Sequence, residues 1–251
     1  MRTDLKEKLV SIGRPVPLSG ILTEPTEHRP GRPAVLILNS GALHRVGACR
    51  LSVRIARDLG ACGFHCLRYD GSGLGDSAPR RRDPGDKPAE AAASEAIEVM
   101  DHLEAIGVAS TFLVLGLCSG ANTSFMAAYR DHRVIGIAMI DPHCYRTWRY
   151  FLRHYAVRLL DAKYLADFLT RLARRTASRR RPLSAGPDKG RDTRDIPPLV
   201  GVPEFSSPPP RKQTAEHLQA LVARSVKFFV CFTGGMYGYN YAEQYVDSFR
   251  D

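Results

Sequence analysis

Thr111-Phe112-Leu113-Val114-Leu115-Gly116-Leu117-Cys118-Ser119-Gly120-Ala121-Asn122 decides how the rest of the chain is read. Apolar and β-prone residues run into Gly-Leu-Cys-Ser-Gly, and a helix-compatible stretch follows. A buried strand that turns at once into a helix forces the turn residue into a strained conformation. The residues two before and two after it must then be small, so that strand and helix can approach. Gly116 and Gly120 meet that need, which places Cys118, rather than Ser119, at the tip. Such a string also describes a tight turn around a buried cysteine, so its meaning depends on the flanking segments.

Downstream, Asn122 to Tyr129 continues the helix, and Val134 to Ile140 reads as a buried strand ending in Asp141-Pro142-His143. Upstream, Ala93, Ile97, Met100 and Leu103 recur at helical spacing between Ala89 and Ile106, with Gly107 closing the helix. Before that, Ala34 to Leu38 is a continuous apolar run, as a strand covered on both faces would be. Gly47 to Leu59 has helical spacing with Gly60 placed to stop it, and Phe64 to Tyr69 reads as another strand. Val16 to Thr23, followed by the turn cluster Arg29-Pro30-Gly31-Arg32-Pro33, predicts an antiparallel hairpin at a sheet edge. Strand and helix alternate from 34 to 140 with short links, which implies parallel pairing and right-handed crossovers. Ligands gather at the carboxyl ends of such strands, so Asp141 and His143 share an edge with Cys118. The helix dipole behind the turn points at Cys118 and is expected to lower its thiol pKa.

This arrangement resembles the α/β-hydrolase superfamily, whose nucleophile elbow reads Gly-x-nucleophile-x-Gly. Most members carry Ser at the tip, and a minority, dienelactone-hydrolase-like enzymes among them, carry Cys. The chain is similar to serine-aminopeptidase-like and thioesterase-like members, and Gly-Leu-Cys is similar to hydrolases associated with exosortase and exopolysaccharide systems. The resemblance implies a single domain over 1–251, with a mostly parallel doubly wound sheet. In the superfamily the loop after the strand at 34–38 begins His-Gly and supplies an oxyanion-hole amide. Here Asn39-Ser40-Gly41-Ala42 stands in that place, with Asn39 for the usual His. Ser40, Gly41 and Ala42 are therefore candidate donors, with the amide of Ser119 as the second. Asp70-Gly71-Ser72-Gly73-Leu74-Gly75-Asp76-Ser77 resembles the superfamily's Asp-x-x-Gly-x-Gly-x-Ser turn. As a phosphate cradle it lacks the dinucleotide spacing, and no Walker lysine follows.

From Trp148 the strand rhythm stops. An insertion over about 145–225 matches the superfamily's helical lid, with Gln213 to Ala223 as its closing helix. This stretch concentrates the excess charge: 36 Lys and Arg stand against 26 Asp and Glu, a formal net +10. Arg174, Arg175, Arg179, Arg180 and Arg181 form either a solvated loop or a site for an anionic acyl carrier, phosphate or polymer. No aromatics interleave with the run, which argues against nucleic acid. Six cysteines without a paired Cys-x-x-Cys motif point to reduced, mostly buried thiols in a cytoplasmic protein, with neither a disulfide framework nor a metal site, and no cofactor motif emerges. No run approaches a membrane span. The composition leaves the oligomeric state open.

Val226 to Gly235 restores a core strand, yet no acid follows it closely and no terminal His appears before Asp251. A nucleophile needs a base, itself oriented by a third group. Three explanations stand. The chain is C-terminally incomplete; or the base is relocated to His143, beside Asp141, or to His44; or the elbow persists in a chain without catalysis. The expected function is ester or thioester hydrolysis on a small-molecule or carrier-bound acyl substrate through Cys118, or Ser119 if the register shifts by one. The alternative is a catalytically impaired homologue that binds an anionic partner.

Overall fold

The computed structural model describes residues 5–27, 29–81, 88–142 and 211–233. The chain divides into two units, Met1–Tyr145 with Pro203–Asp251, and Arg146–Val202; every described residue belongs to the first. The Arg-rich part of the expected insertion lies outside the described residues, as do His143, Cys144 and the stretch after Thr233.

Among the described residues, seven strands form one sheet: β1 (Glu7–Ile12), β2 (Leu18–Thr23), β3 (Ala34–Ile37), β4 (Cys66–Tyr69), β5 (Phe112–Leu117), β6 (Val134–Ile140) and β7 (Lys227–Cys231). Their order is β1-β2-β4-β3-β5-β6-β7. The β1–β2–β4 pairings are antiparallel, and β4–β3–β5–β6–β7 are parallel throughout. The central strands β3 and β4 are buried along their whole length, which is why neither alternates and β3 reads as an unbroken apolar run. Arg68 is the polar exception in β4; its guanidinium reaches Glu7 of β1 at 3.0 Å.

Among the described residues, four α-helices flank the sheet: α1 (Leu51–Ala61), α2 (Pro88–Ala105), α3 (Ser119–Arg130) and α4 (Arg211–Ala223). One sheet face packs Leu36, Leu67, Phe112 and Val114 against Val99 and Met100 of α2 and Phe125 of α3. The opposite face packs Val35, Ile37 and Cys66 against Ala56 of α1. Helices on both faces of a parallel sheet make the fold doubly wound. From β3 the chain moves outward through α1 to β4, then crosses back past β3 through α2 to β5. The reversal opens a crevice at the carboxyl ends of β3 and β5.

Three expectations need correction. The first helix begins at Leu51, not Gly47, because Cys49 and Arg50 hold left-handed φ values of 49° and 61° that delay the first α-turn. Gly60 does not stop it: the helix runs to Ala61, and Gly60 is the residue that lets α1 approach Leu5 and Thr23, which would lie 3.1 Å from an added Cβ. Of the cysteines, Cys66 is buried and Cys118 and Cys231 are half-buried, but Cys49 and Cys62 are exposed.

The helix assigned by sequence to the end of the insertion, α4, packs Leu218 and Leu221 into the main core. Beside them the buried His217 stacks on Tyr129 of α3, ring centroids 3.7 Å apart. Burial pushes the His217 pKa below its usual 6.5, against a smaller upward pull from Glu216. The folded state therefore prefers neutral imidazole, and the unfolded chain takes up the proton first. Stability contributed by this packing is present above about pH 6.5 and is lost as pH falls through the lowered value. The denaturant midpoint should drop between pH 7 and 5, before carboxylates titrate, and His217→Phe should flatten that drop. An unchanged slope in the variant would assign the drop to other groups.

Candidate active site

Cys118 joins β5 to α3 with φ 57° and ψ −115°, a conformation that costs a residue with a side chain on the order of 1–3 kcal/mol. Surrounding contacts impose it. The Cys118 amide donates to Ile140 O at 2.8 Å, holding the turn to β6, and its carbonyl accepts from Ala121 at 3.0 Å. A Cβ on Gly116 would overlap the Gly120 carbonyl, and one on Gly120 would overlap the Asn39 carbonyl. Strand, helix and the loop after β3 thus meet backbone to backbone.

The thiol does not behave as the helix dipole alone predicts. Burial pushes its pKa up; the Ser119 N–H lowers it in part, and the charge on Asp141 raises it further. Desolvation of the sulfur outweighs the backbone donor that favours the thiolate.

Gly41 and Ser119 are brought together. Gly41 has φ 55° with open space around its Cα, so the glycine is needed for its backbone and not for room. Its amide donates to Ser119 Oγ at 2.7 Å, and Ser119 is only 5% exposed. One proposed oxyanion donor is therefore engaged by the hydroxyl of the residue that carries the other. Ser40 is half-buried and Ala42 exposed.

The loop is braced by Asn39, Asp70, Arg45 and Asp76, a structural part that the sequence did not announce for them. Asn39 donates through Nδ2 to Leu43 O and accepts the Gly71 amide through Oδ1, both at 2.8 Å. Fully buried Asp70 accepts the Arg45 amide at 2.6 Å, the Arg45 guanidinium, and the Asp76 amide at 3.1 Å. Arg45 reaches Asp76 as well, at 2.6 Å. His44 turns Nε2 toward Asp70, 3.3 Å away, and accepts the Val46 amide on Nδ1. His44, Asp70 and Asp76 cluster closely enough to ligate a cation, but Arg45 already supplies the positive charge between the two carboxylates. The Gly-rich turn spends its amides internally: Gly71 on Asn39, Ser72 on Glu95, Leu74 on Gly71 O, Asp76 on Asp70, and Ser77 on Leu74 O. It is a brace and not a phosphate cradle. Asp70→Asn leaves a buried guanidinium short of one charge, and breaking such a pair costs about 3–5 kcal/mol. A urea titration should show a loss of that order; a loss under about 1 kcal/mol would mean that the pair is dispensable.

Asp141, at φ 47°, lies on the Cys118 edge, but its carboxylate accepts the Thr233 amide at 2.8 Å and the Thr233 hydroxyl at 2.5 Å. It ties the ends of β6 and β7 together. His143 lies outside the described residues.

Beside Ser119 a small cleft opens to solvent, bordered by Gly41, Asn39, Ser72, Thr123 and Glu95. Glu95 is 8% exposed and sits on the buried stripe of α2. A charged residue four positions before Val99, among the small residues of an apolar face, was its sequence signal. A second small cleft is bordered by Ser40, His44 and Leu117.

The model of a family described as alpha/beta hydrolase fold matches residues 33–215. No curated protein matches the chain. Among solved structures, a hypothetical protein of Pseudomonas aeruginosa shares 15% identity and a TM-score of 0.51 over 97% of this chain and 91% of its own. An esterase of Pyrococcus furiosus shares 16% at a TM-score of 0.48, over 91% and 82% respectively. An alpha/beta hydrolase of Penicillium shares 23% at a TM-score of 0.45, over 67% and 55%. The chain spans about half the length of several structures that it matches. The Pseudomonas aeruginosa protein, at a TM-score of 0.51, shares the fold. Among the described residues, no helix is long and apolar enough to cross a membrane.

Proposed function

The chain belongs to the α/β-hydrolase fold family, and from that premise we propose that it hydrolyses an ester or thioester, with Cys118 as the nucleophile. The observation that carries the reading is the Cys118 backbone, held at φ 57° between a strand and a helix by two glycines that admit no side chain. Strain of this kind costs stability and persists where the fold over-determines it, often at sites of chemistry.

In the proposed reaction the thiol proton passes to a base and Sγ bonds to the substrate's carbonyl carbon. The C=O electron pair moves onto oxygen, which takes the Ser119 N–H and, in place of Ser119 Oγ, the Gly41 N–H. Collapse expels the alcohol or thiol, which recovers the proton from the base. Water then cleaves the Cys118 thioester and releases the acid. Because burial keeps the thiol protonated at neutral pH, the base matters more than a pre-formed thiolate would require. His143 is the base to test, since His44 faces Asp70 and Asp76. Asp141 would act on it through charge, its oxygens being taken by Thr233. Ser40 and Ala42 remain secondary donor candidates. A small-molecule or carrier-bound acyl group is the proposed substrate.

The test is a stopped-flow burst with p-nitrophenyl acetate and with an acyl thioester, followed by mass spectrometry for an acyl group on the peptide carrying Cys118. Acylation elsewhere, or none, would remove the proposal. The alternative of a binding module for an anionic partner rests on the arginine run, which lies outside the described residues.

A further inference from the structure

We propose that α4 is a pH-sensitive latch: it stays docked on α3 while the His217 ring is neutral and comes away locally, with the sheet in place, once the ring takes up a proton. This device does not depend on the acyl-hydrolase reading. It goes beyond a general loss of stability in acid by naming the element that leaves first.

The buried stripe of α4 is Thr214, His217, Leu218 and Leu221. Leu218 and Leu221 join the main core, and an apolar side chain at 217 would extend that stripe. An imidazole stands there instead, 6% exposed. It stacks on Tyr129 with centroids 3.7 Å apart and lies tilted against Phe125 at 6.2 Å. Nδ1 is buried and, among the described residues, has no hydrogen-bond partner. The neutral ring tolerates this by carrying its hydrogen on Nε2, which leaves Nδ1 a bare lone pair. Protonation puts an N–H and a share of the charge where no acceptor waits, and a buried donor so placed is strongly disfavoured. The Tyr129 face attracts a cation but supplies no acceptor in the plane of the ring.

The charged groups around α4 do not relieve this. Glu216 is exposed, and its upward pull on the ring is smaller than the downward push of burial. Arg211 and Lys212 are exposed in the first turn. On α3, the Asp131 carboxylate is taken by Arg133, and Arg130 turns to Glu90 O and the Ser94 hydroxyl. Arg224 donates to Ala128 O and Asp131 O, which adds positive charge at the turn of α3 that carries Tyr129. β6 brings Val134, Ile137 and Met139 to the same core cluster, and none of them titrates.

α4 is also the element that can leave alone. Its main packing partner is α3, whereas α3 itself packs on α2, β5 and β6. Three residues after Ala223 the chain enters β7, which is paired with β6 and limits the opening. Freeing one helix breaks fewer contacts than unfolding the sheet, so the linkage to His217 is expressed there first. An undocked imidazole takes up its proton near pH 6.5, and the docked one only at lower pH. The opening equilibrium therefore grows as pH falls below 6.5, by up to about tenfold per pH unit, the most that one proton supplies.

Hydrogen exchange of the full chain, read by mass spectrometry on separate peptides from about pH 7.5 to about pH 5, tests this over the range in which histidine titrates. After correction for intrinsic exchange rates, peptides covering α4 should lose protection by up to about tenfold per pH unit, while those of α1 and α2 keep theirs. His217→Phe keeps an aromatic stack without the titration and should hold α4 protection level. Constant α4 protection in the wild-type chain would overturn the proposal. So would an equal loss in α1 and α2, which would mean that the sheet and its helices open together. Both outcomes are read without a variant. A folded His217→Phe chain that loses α4 protection as steeply as the parent would assign the latch to another group and overturn it as well.

Discussion

Cys118→Ala is expected to remove the acyl burst and lower turnover by on the order of 10⁴-fold or more, the scale on which loss of a covalent nucleophile is felt. Ser119→Ala should cost no more than a few-fold. Its amide remains at the start of α3, and losing its hydroxyl frees the Gly41 N–H, now engaged at 2.7 Å, for the substrate oxygen. The two variants together locate the reacting atom, because a register shift of one residue would invert their effects. The thiol adds a pH signature. Burial and the Asp141 charge raise its pKa above the ordinary 9.0, so alkylation of Cys118 by iodoacetamide should still be accelerating past pH 9. Exposed Cys49 and Cys62 will react as well, so the rate must be read on the separate peptides by mass spectrometry. Unchanged ester turnover in Cys118→Ala would end the assignment. A thiol that alkylates fastest near neutral pH would show that a nearby cation outweighs desolvation.

The contrast between what the chain displayed and what it concealed follows the range of the interactions. The β5 turn was legible because its requirements are local: an apolar run, glycines at two-residue offsets, and a helix-compatible sequel. Central strands β3 and β4 were legible because burial on both faces removes alternation. β1 escaped notice because Glu-Lys-Leu-Val-Ser-Ile at a sheet edge leaves most of its side chains partly in solvent, with no apolar run to mark it. Gly60 read as a stop because glycine serves equally as a helix end and as a point of close approach, and only Leu5 and Thr23 distinguish the two. The site divides in the same way. A glycine after β3 could be assigned to an oxyanion loop, but its bond to Ser119 spans 78 positions and no local pattern announces it. The helix dipole at Cys118 is a short-range property visible in sequence, whereas desolvation of the sulfur depends on everything packed around it. Asp70 was seen as the start of a turn; that it also holds Arg45 and thereby the loop bearing Gly41 emerges only when β3 and β4 lie side by side.

Gly120→Ala is expected to be among the most damaging single-methyl changes in the described residues. Gly120 has an ordinary helical position, so the demand on it is space and not dihedral freedom. The new Cβ would overlap the Asn39 carbonyl and stand 3.5 Å from the Leu38 Cβ. Overpacking against a flexible side chain costs about 1–3 kcal/mol. Here the obstacle is backbone at the end of a central strand, so a loss of about 3 kcal/mol or more is expected, read as a lower urea midpoint. Gly41→Ala makes the opposite demand: open space around the Cα but φ 55°, for a penalty of about 1 kcal/mol. The effects on turnover should also differ. Relief of the Gly120 clash must push Asn39 away from α3, and Asn39 is tied to Leu43 and Gly71, so the Gly41 amide moves off Ser119 with it. Gly120→Ala protein that remains folded at low temperature should therefore hydrolyse esters poorly, with kcat falling more than KM rises, because the lost contact forms chiefly to the transition-state oxygen. If it melts as the parent does and turns over at the parental rate, α3 and the β3 loop are further apart than van der Waals contact, and the oxyanion geometry proposed for Gly41 and Ser119 has no rigid support.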